Sequence, residues 1–149
     1  IKHAQQAVGD IRRVVYNLRP PALDDLGLAG ALRAQAAEYG ASGVHFSVRV
    51  PDSLPPLPAA VEVACYRIAQ EAMTNAVKHA QARHCSLTLS IDGALALEVA
   101  DDGRGLPPDL PAGMGLASMR ERAAELGGQC RIDAIPGGGT RVLASLPLG

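Results

Sequence analysis

The sequence contains no tryptophan, a single phenylalanine and three tyrosines, so its core must be built from aliphatic side chains. Charge of one sign is equally scarce. A formal net charge of −1 leaves no electrostatic footprint for nucleic acid or for an anionic membrane surface. The three cysteines, Cys65, Cys85 and Cys130, stand far apart, with no CxxC pair and no histidine at metal-ligand spacing. That excludes a zinc ribbon and a disulfide framework, and leaves small buried hydrophobes in a reducing, cytoplasmic setting. No apolar stretch approaches the roughly 18 residues needed to span a bilayer, and the start of the chain does not read as a signal peptide.

What is present is a chain of 149 residues, 48% hydrophobic, enough for one sizeable core and an appendage. Ile1 falls inside a helical pattern, so the chain is expected to be part of a longer protein. Ile1, Ala4, Val8, Ile11, Val15 and Leu18 recur at spacings of three and four, the seam of a coiled coil. Such a helix wants a partner helix; packing against its own globular domain is the alternative. Pro20-Pro21 ends it. Asp24 or Asp25 can then cap a second helix over residues 26–39, closed by Gly40.

Strand and helix patterns alternate from there. Val44, Phe46, Val48 and Val50 point one way and His45, Ser47 and Arg49 the other, a half-buried strand. A proline-rich connector over 51–58 leads to a helical period over 59–80, with Val61, Ala64, Cys65, Ile68, Ala72 and Ala76 on one side. Cys85, Leu87, Leu89 and Ile91 alternate, Asp92-Gly93 signals a type I′ hairpin, and Leu95, Leu97 and Val99 form the returning strand. Leu116, Met119, Ala123 and Leu126 line a further helix that stops at Gly127-Gly128. Strands over 129–135 and 140–146 follow, joined by Pro136-Gly137-Gly138-Gly139. The pattern predicts an α+β fold, a mixed sheet covered by helices on one face.

Chemistry-bearing residues can be placed on this frame. Arg67, Glu71, Asn75 and Lys78 occupy one band of the long helix, because residues four apart are rotated by only about 40°. A neutral oxygen from Asn75, a cation from Lys78 and a carboxylate from Glu71 suit a Mg²⁺–triphosphate; an ordinary exposed polar row is the alternative. His79 falls near the apolar stripe and reads as a sheltered, hydrogen-bonded histidine. Asp101 continues the parity of Leu95, Leu97 and Val99 and should face the covered side of the sheet, with Asp102 facing away. A carboxylate there needs a donor: the exocyclic amine of adenine is one, and nearby backbone amides in a turn are another. Thr140 shares the parity of Val142, Ala144 and Leu146, so its hydroxyl can reach the same space. Gly103 and Gly105 permit close approach to a ligand. Gly113, Gly115 and Leu116 open the next helix, where unpaired N–H groups can meet phosphates.

The order of these segments resembles the Bergerat ATP-binding fold shared by histidine kinases, Hsp90, MutL and type II topoisomerases. Glu71-Ala72-Met73-Thr74-Asn75-Ala76-Val77-Lys78-His79-Ala80 is similar to its N box. Asp101-Asp102-Gly103-Arg104-Gly105-Leu106 and Gly113-Met114-Gly115-Leu116 resemble its two glycine boxes, and Gly138-Gly139-Thr140 its closing motif. Leu18-Arg19-Pro20-Pro21 through Gly27-Leu28, together with Gly115-Leu116-Ala117-Ser118-Met119-Arg120-Glu121-Arg122, resemble sensor histidine kinases that pair with NarL-type response regulators.

The resemblance implies an α/β sandwich with a mixed, mostly antiparallel sheet, preceded by a coiled-coil helix. It implies residues 1–21 as the second helix of a dimerisation and phosphotransfer bundle and 22–149 as the catalytic domain. It further implies Asn75 on Mg²⁺, Glu71 beside the metal or assisting proton transfer, Lys78 on phosphate, and Asp101 on the adenine amine with Thr140 in support. Gly103, Gly105, Gly113, Gly115 and Leu116 would shape the lid and phosphate end. ATP and Mg²⁺ are the implied ligands, a response-regulator receiver domain the implied partner, and homodimerisation through the bundle the implied assembly of a parent that can carry a membrane anchor elsewhere. His3 is followed by Ala4 and Gln5 rather than by an acidic residue, so the phosphoacceptor histidine is expected outside this chain, which should bind ATP without phosphorylating itself. Two other users of the fold compete. An anti-sigma-factor serine kinase lacks the bundle helix that residues 1–28 resemble, and an ATP-hydrolysing clamp of the MutL or Hsp90 kind would carry a longer lid than residues 106–112.

Overall fold

The computed structural model describes residues 19–105 and 115–149. The expected coiled-coil helix, His3, Leu106 and Gly113 lie outside the described residues. Three helices and five strands follow in chain order: α1 (Pro21–Gly40), β1 (His45–Arg49), α2 (Ala59–Lys78), β2 (His84–Ile91), β3 (Ala94–Asp101), α3 (Leu116–Glu125), β4 (Gln129–Ala134) and β5 (Thr140–Pro147). The strands form one sheet in the order β1-β2-β3-β5-β4, antiparallel except where β1 runs parallel to β2. This is the expected mixed, mostly antiparallel α+β architecture.

Helix α1 begins earlier than its acidic residues suggested. Pro21 occupies the first turn, where its missing N–H costs nothing. Asp24 does not cap; its Oδ1 accepts a 2.7 Å bond from Arg19 Nε. The expected start near residue 26 marks a break within the helix instead, because Gly27 adopts φ 71° and ψ 172°, a backbone that a side chain would strain. Leu28, Ala31, Leu32 and Ala36 beyond the break are buried. Arg19 also donates from Nη2 to Glu62 Oε1 at 3.0 Å, tying the chain before α1 to the first turn of α2.

The long helix α2 buries Val61, Ala64, Cys65, Ile68, Ala72 and Ala76 as its period requires, and Ala69 and Met73 with them. Small residues recur along this stripe, which lets the helix lie close to the sheet. Opposite it, β2, β3 and β5 present Leu87, Leu89, Leu95, Leu97, Val142, Ala144 and Leu146, all buried, while Ser90, Ala96 and Ser145 on the other face are exposed. The β2–β3 hairpin forms where Asp92-Gly93 placed it, but the turn differs from the one expected. Between the paired Ile91 and Leu95, Gly93 takes φ 74°, whereas Asp92 does not enter the left-handed region that a type I′ turn demands of both central residues. A side chain at Asp92 makes that conformation costly, and the hairpin closes with Asp92 N–H on Ala94 O at 3.0 Å. The cysteines are free and buried; burial pushes the thiols of Cys65 and Cys85 up to about 12.

Candidate functional site

Sheet register places two ladder rows beneath the last turns of α2. In one row Val99 pairs with Val142, and Val142 with Ile132. In the next row Asp101 pairs with Thr140. Together with Ala72, Asn75 and Ala80 from α2 and its end, Leu116 from α3 and Gly105, these residues line one cavity. Apolar walls and a small set of polar groups at one end form the usual make-up of a site for a planar, partly polar ligand. The cavity is narrow, with room for little more than one water.

The polar end is unusual in its composition. Three polar side chains are buried among the described residues, Gln35, Asp101 and Thr140, and two of them face this cavity as direct cross-strand partners. Asp101 Oδ1 accepts the N–H of Gly103 at 2.9 Å, which is the turn alternative for this carboxylate. That bond uses one oxygen; the residue still lines the cavity. Desolvation raises the Asp101 pKa above the ordinary carboxylate value, opposed by the backbone amides of Gly103 and Thr140 and reinforced by the charge of Asp102. Thr140 Oγ1 is buried without a hydrogen-bond partner among the described residues. Asp102 faces away as its parity predicted, accepting the N–H groups of Arg83 and His84 at 2.8 and 2.9 Å.

Asn75 reaches the cavity from the last turn of α2, where its backbone carbonyl accepts N–H bonds from both His79 and Ala80 at 2.9 Å. Glu71, one turn earlier, stands against Gly115: a Cβ on that glycine would collide with the Glu71 carboxylate. Gly115 is the N-cap of α3, with φ 73°, so the carboxylate sits beside the amide end of that helix. Lys78 is exposed at the end of α2. Gly105 lines the cavity, whereas Gly103 serves a different contact from the ligand approach expected of it, since a Cβ there would strike the backbone and Cβ of Ala80. Arg104 reinforces the same junction, donating from its backbone to Ala80 O at 2.8 Å and from Nε to His79 O at 3.0 Å. His79 is half-buried at the helix end rather than sheltered in the apolar stripe.

Arg122 lies elsewhere. With Arg19, Ala59, Ala60, Val63, Ala64, Glu125 and Leu126 it borders a separate open cleft of about 360 Å³ at the other end of α2. Sequence reasoning did not name Ile132, Val99 and Val142 as walls. Their inward parity was visible, but the rows they form depend on strand register. Among the described residues no three histidine, cysteine or acidic side chains cluster to hold a metal, and no helix is long and apolar enough to cross a membrane.

Residues 60–149 match the family model described as histidine kinase-, DNA gyrase B-, and HSP90-like ATPase, and the chain belongs to that family. It is 40% identical over 143 residues to the signal transduction histidine-protein kinase/phosphatase UhpB of Salmonella typhimurium, covering 92% of this chain and 28% of that protein. The chain thus spans less than a third of that curated relative. The blue-light activated histidine kinase of Erythrobacter litoralis EL346 superposes with a TM-score of 0.66 at 25% identity, over 79% of this chain and 39% of that one. Full-length ShkA, solved in complex with AMPPNP, gives the same TM-score of 0.66 and 25% identity, over 89% of this chain and 31% of that one. Within the family, the chain is an ATPase-like domain similar to parts of histidine kinases.

Proposed function

We propose that this domain binds Mg²⁺–ATP in the cavity between α2 and the sheet and supplies the γ-phosphate to a histidine outside the chain, for relay to an aspartate of a response-regulator receiver domain. The observation that carries the reading is the pairing of a buried carboxylate, Asp101, with a buried, unpartnered hydroxyl, Thr140, at the polar end of an apolar slot. The slot as it stands holds about one water, so adenine must part its walls to enter; once there, its faces suit Val99, Val142, Ile132 and Ala72, and its exocyclic amine donates to Asp101. Thr140 Oγ can donate to a ring nitrogen or accept from the same amine.

The triphosphate end lies toward Asn75, Glu71 and the N-terminus of α3. Asn75 offers a side-chain oxygen to Mg²⁺, whose charge, when bound, neutralises that developing on the transferred phosphoryl group. Glu71 stands close enough to α3 to orient a metal water or accept a proton, and Lys78 supplies a mobile cation at the solvent side. Gly105, Gly115 and Leu116 frame the phosphates, and Gly103 holds the loop to α2. Because phosphoryl transfer asks mainly for positioning and charge neutralisation, these residues suffice without a covalent intermediate on the domain. The bundle helix expected over residues 1–21 falls almost wholly outside the described residues, and homodimerisation of the parent protein through such a bundle is part of the same proposal. Residues 22–149 form the catalytic domain, which works in the cytoplasm without contacting nucleic acid or membrane.

The AMPPNP held by ShkA supports adenine nucleotide as the ligand class. Calorimetric titration with ATP and Mg²⁺, with GTP as the control, tests the assignment. Adenine-selective binding without labelling of the chain is the expected result. Equal affinity for GTP would remove Asp101 from the base-reading role, and self-labelling would place the acceptor histidine within these residues.

A further inference from the structure

His45 and His84 are register partners on the parallel strands β1 and β2, with side chains that the nucleotide site does not use. Their neighbours Phe46 and Cys85 point into the domain, so both imidazoles stand on the outer face of the sheet, and both are exposed. The pair is fixed beneath the side chains by a 2.8 Å bond from His45 N–H to Arg83 O. The ring centroids are 5.7 Å apart, with planes at 67°.

A third group orients one ring. Asp102 Oδ2 lies 3.1 Å from His84 Nδ1, so in the neutral ring the carboxylate accepts the Nδ1 proton and the Nε2 lone pair is directed outward. Asp102 cannot drift, since its Oδ1 is held by the backbone N–H groups of Arg83 and His84. A carboxylate on the remote nitrogen of an imidazole is the arrangement that orients histidine ligands and raises their basicity at metal centres.

We infer that His45 and His84 form a two-histidine surface site for a late first-row transition dication, Zn²⁺, Ni²⁺ or Cu²⁺, with Asp102 as the positioning carboxylate. Metal–nitrogen bonds of about 2.0–2.1 Å put each ring centre roughly 3.2 Å from the ion, so two rings at a tetrahedral to trigonal angle stand about 5.2–5.6 Å apart. The observed separation exceeds that range by about a tenth of an ångström, within reach of a small rotation of either exposed side chain. Water completes the coordination, because no third ligating side chain joins the pair among the described residues. The cation would staple β1 to β2 at the end from which Asp102 leads back to Asp101, and Cu²⁺ would bind more tightly than Ni²⁺ or Zn²⁺.

Titration of the chain with Zn²⁺ and Cu²⁺ in a non-coordinating buffer containing excess Mg²⁺ tests this, since Mg²⁺ occupies oxygen sites and leaves imidazole pairs open. One equivalent should bind, with the ¹⁵N resonance of His84 Nε2 shifting while Nδ1 stays protonated. His45→Gln and His84→Gln should each abolish saturable binding, Asp102→Asn should weaken it about 10- to 100-fold, and His3→Gln and His79→Gln should leave it unchanged. Both histidines are exposed, and circular dichroism of each variant verifies that the fold survives. Absence of saturable binding, retention of full affinity in either His45→Gln or His84→Gln, or its loss in His3→Gln would overturn the assignment.

Discussion

Asp101 and Thr140 face one another directly across β3 and β5, and each is buried. A strand pair that hides a carboxylate beside an unpartnered hydroxyl pays in stability for a ligand it does not contain. Separate substitutions resolve the two halves of that cost.

Asp101→Asn should weaken ATP binding by about 1.5–3 kcal/mol, or roughly 10- to 150-fold, because a charged acceptor is lost. The same change should stabilise the nucleotide-free domain at neutral pH. The sign follows from the raised folded pKa: a carboxylate that is harder to ionise in the fold than in the unfolded chain destabilises the fold wherever it is charged, above its unfolded pKa. Asparagine keeps an acceptor for Gly103 N–H and carries no charge. Calorimetry and a thermal melt check both parts; unchanged ATP affinity would refute the base-reading role, and a lower melting temperature the electrostatic one.

Thr140→Val should separate binding from folding in a second way. The hydroxyl has no partner among the described residues, so its removal should leave the stability of the free domain unchanged or raise it by about 1 kcal/mol. Affinity for ATP should nevertheless fall by on the order of tenfold. Chemical denaturation with and without nucleotide measures both, and a marked loss of stability in the free state would mean that Thr140 Oγ has a structural partner.

Two glycines should respond to alanine for different reasons. Gly103 has no room, since its Cβ would meet the backbone of Ala80, itself bonded to Arg104 N–H. Gly127 has open space within 4 Å but a backbone φ of 78°. Gly127→Ala should cost about 1–2 kcal/mol from backbone conformation alone. Gly103→Ala should cost about 3 kcal/mol by overpacking and should also reduce ATP affinity, because it displaces the loop beside Asp101. Equal costs from urea denaturation, or normal nucleotide binding by Gly103→Ala, would contradict this.

Asp102 should leave a signature in acid. Backbone N–H donation from His84, then from Arg83, and the His84 ring hold its pKa down to about 2. Its folded pKa lies below the unfolded value of about 3.9, so its contribution is full above that value and is lost as pH falls toward about 2. Asp102→Asn should therefore be less stable at neutral pH, by a modest amount because the group is exposed, and should show a shallower loss of stability between about pH 4 and 2. Melting temperatures of both proteins across that window provide the check, with parallel curves as the contrary outcome.

Local signals carried much of this architecture. Alternation alone turned Asp101 inward and Asp102 outward, and the 3.6-residue period set Asn75 one turn beyond Glu71 beside the apolar stripe of α2. The ordered glycine boxes gave the family before any coordinate did. What the chain did not disclose were relations between distant segments. The parallel pairing of β1 with β2, the row Val99–Val142–Ile132 and the edge-on pair His45–His84 depend on register, which no single strand encodes. The early start of α1 was missed because Asp24 and Asp25 looked like caps, while Pro21 began the helix and Arg19 engaged Asp24. Gly27 fell inside the predicted helix and proved to be the break in α1.

The backbone at Gly115 bears on how this sequence can change over time. A Cβ at position 115 would meet only the far end of the flexible Glu71 side chain, which can swing aside, whereas the left-handed backbone at φ 73° restricts the position whatever its neighbour does. Homologues should therefore keep glycine there, or asparagine, which tolerates that backbone, independently of what stands at position 71. The narrow choice at 115 would be a record, kept in sequence alone, of the turn that starts α3.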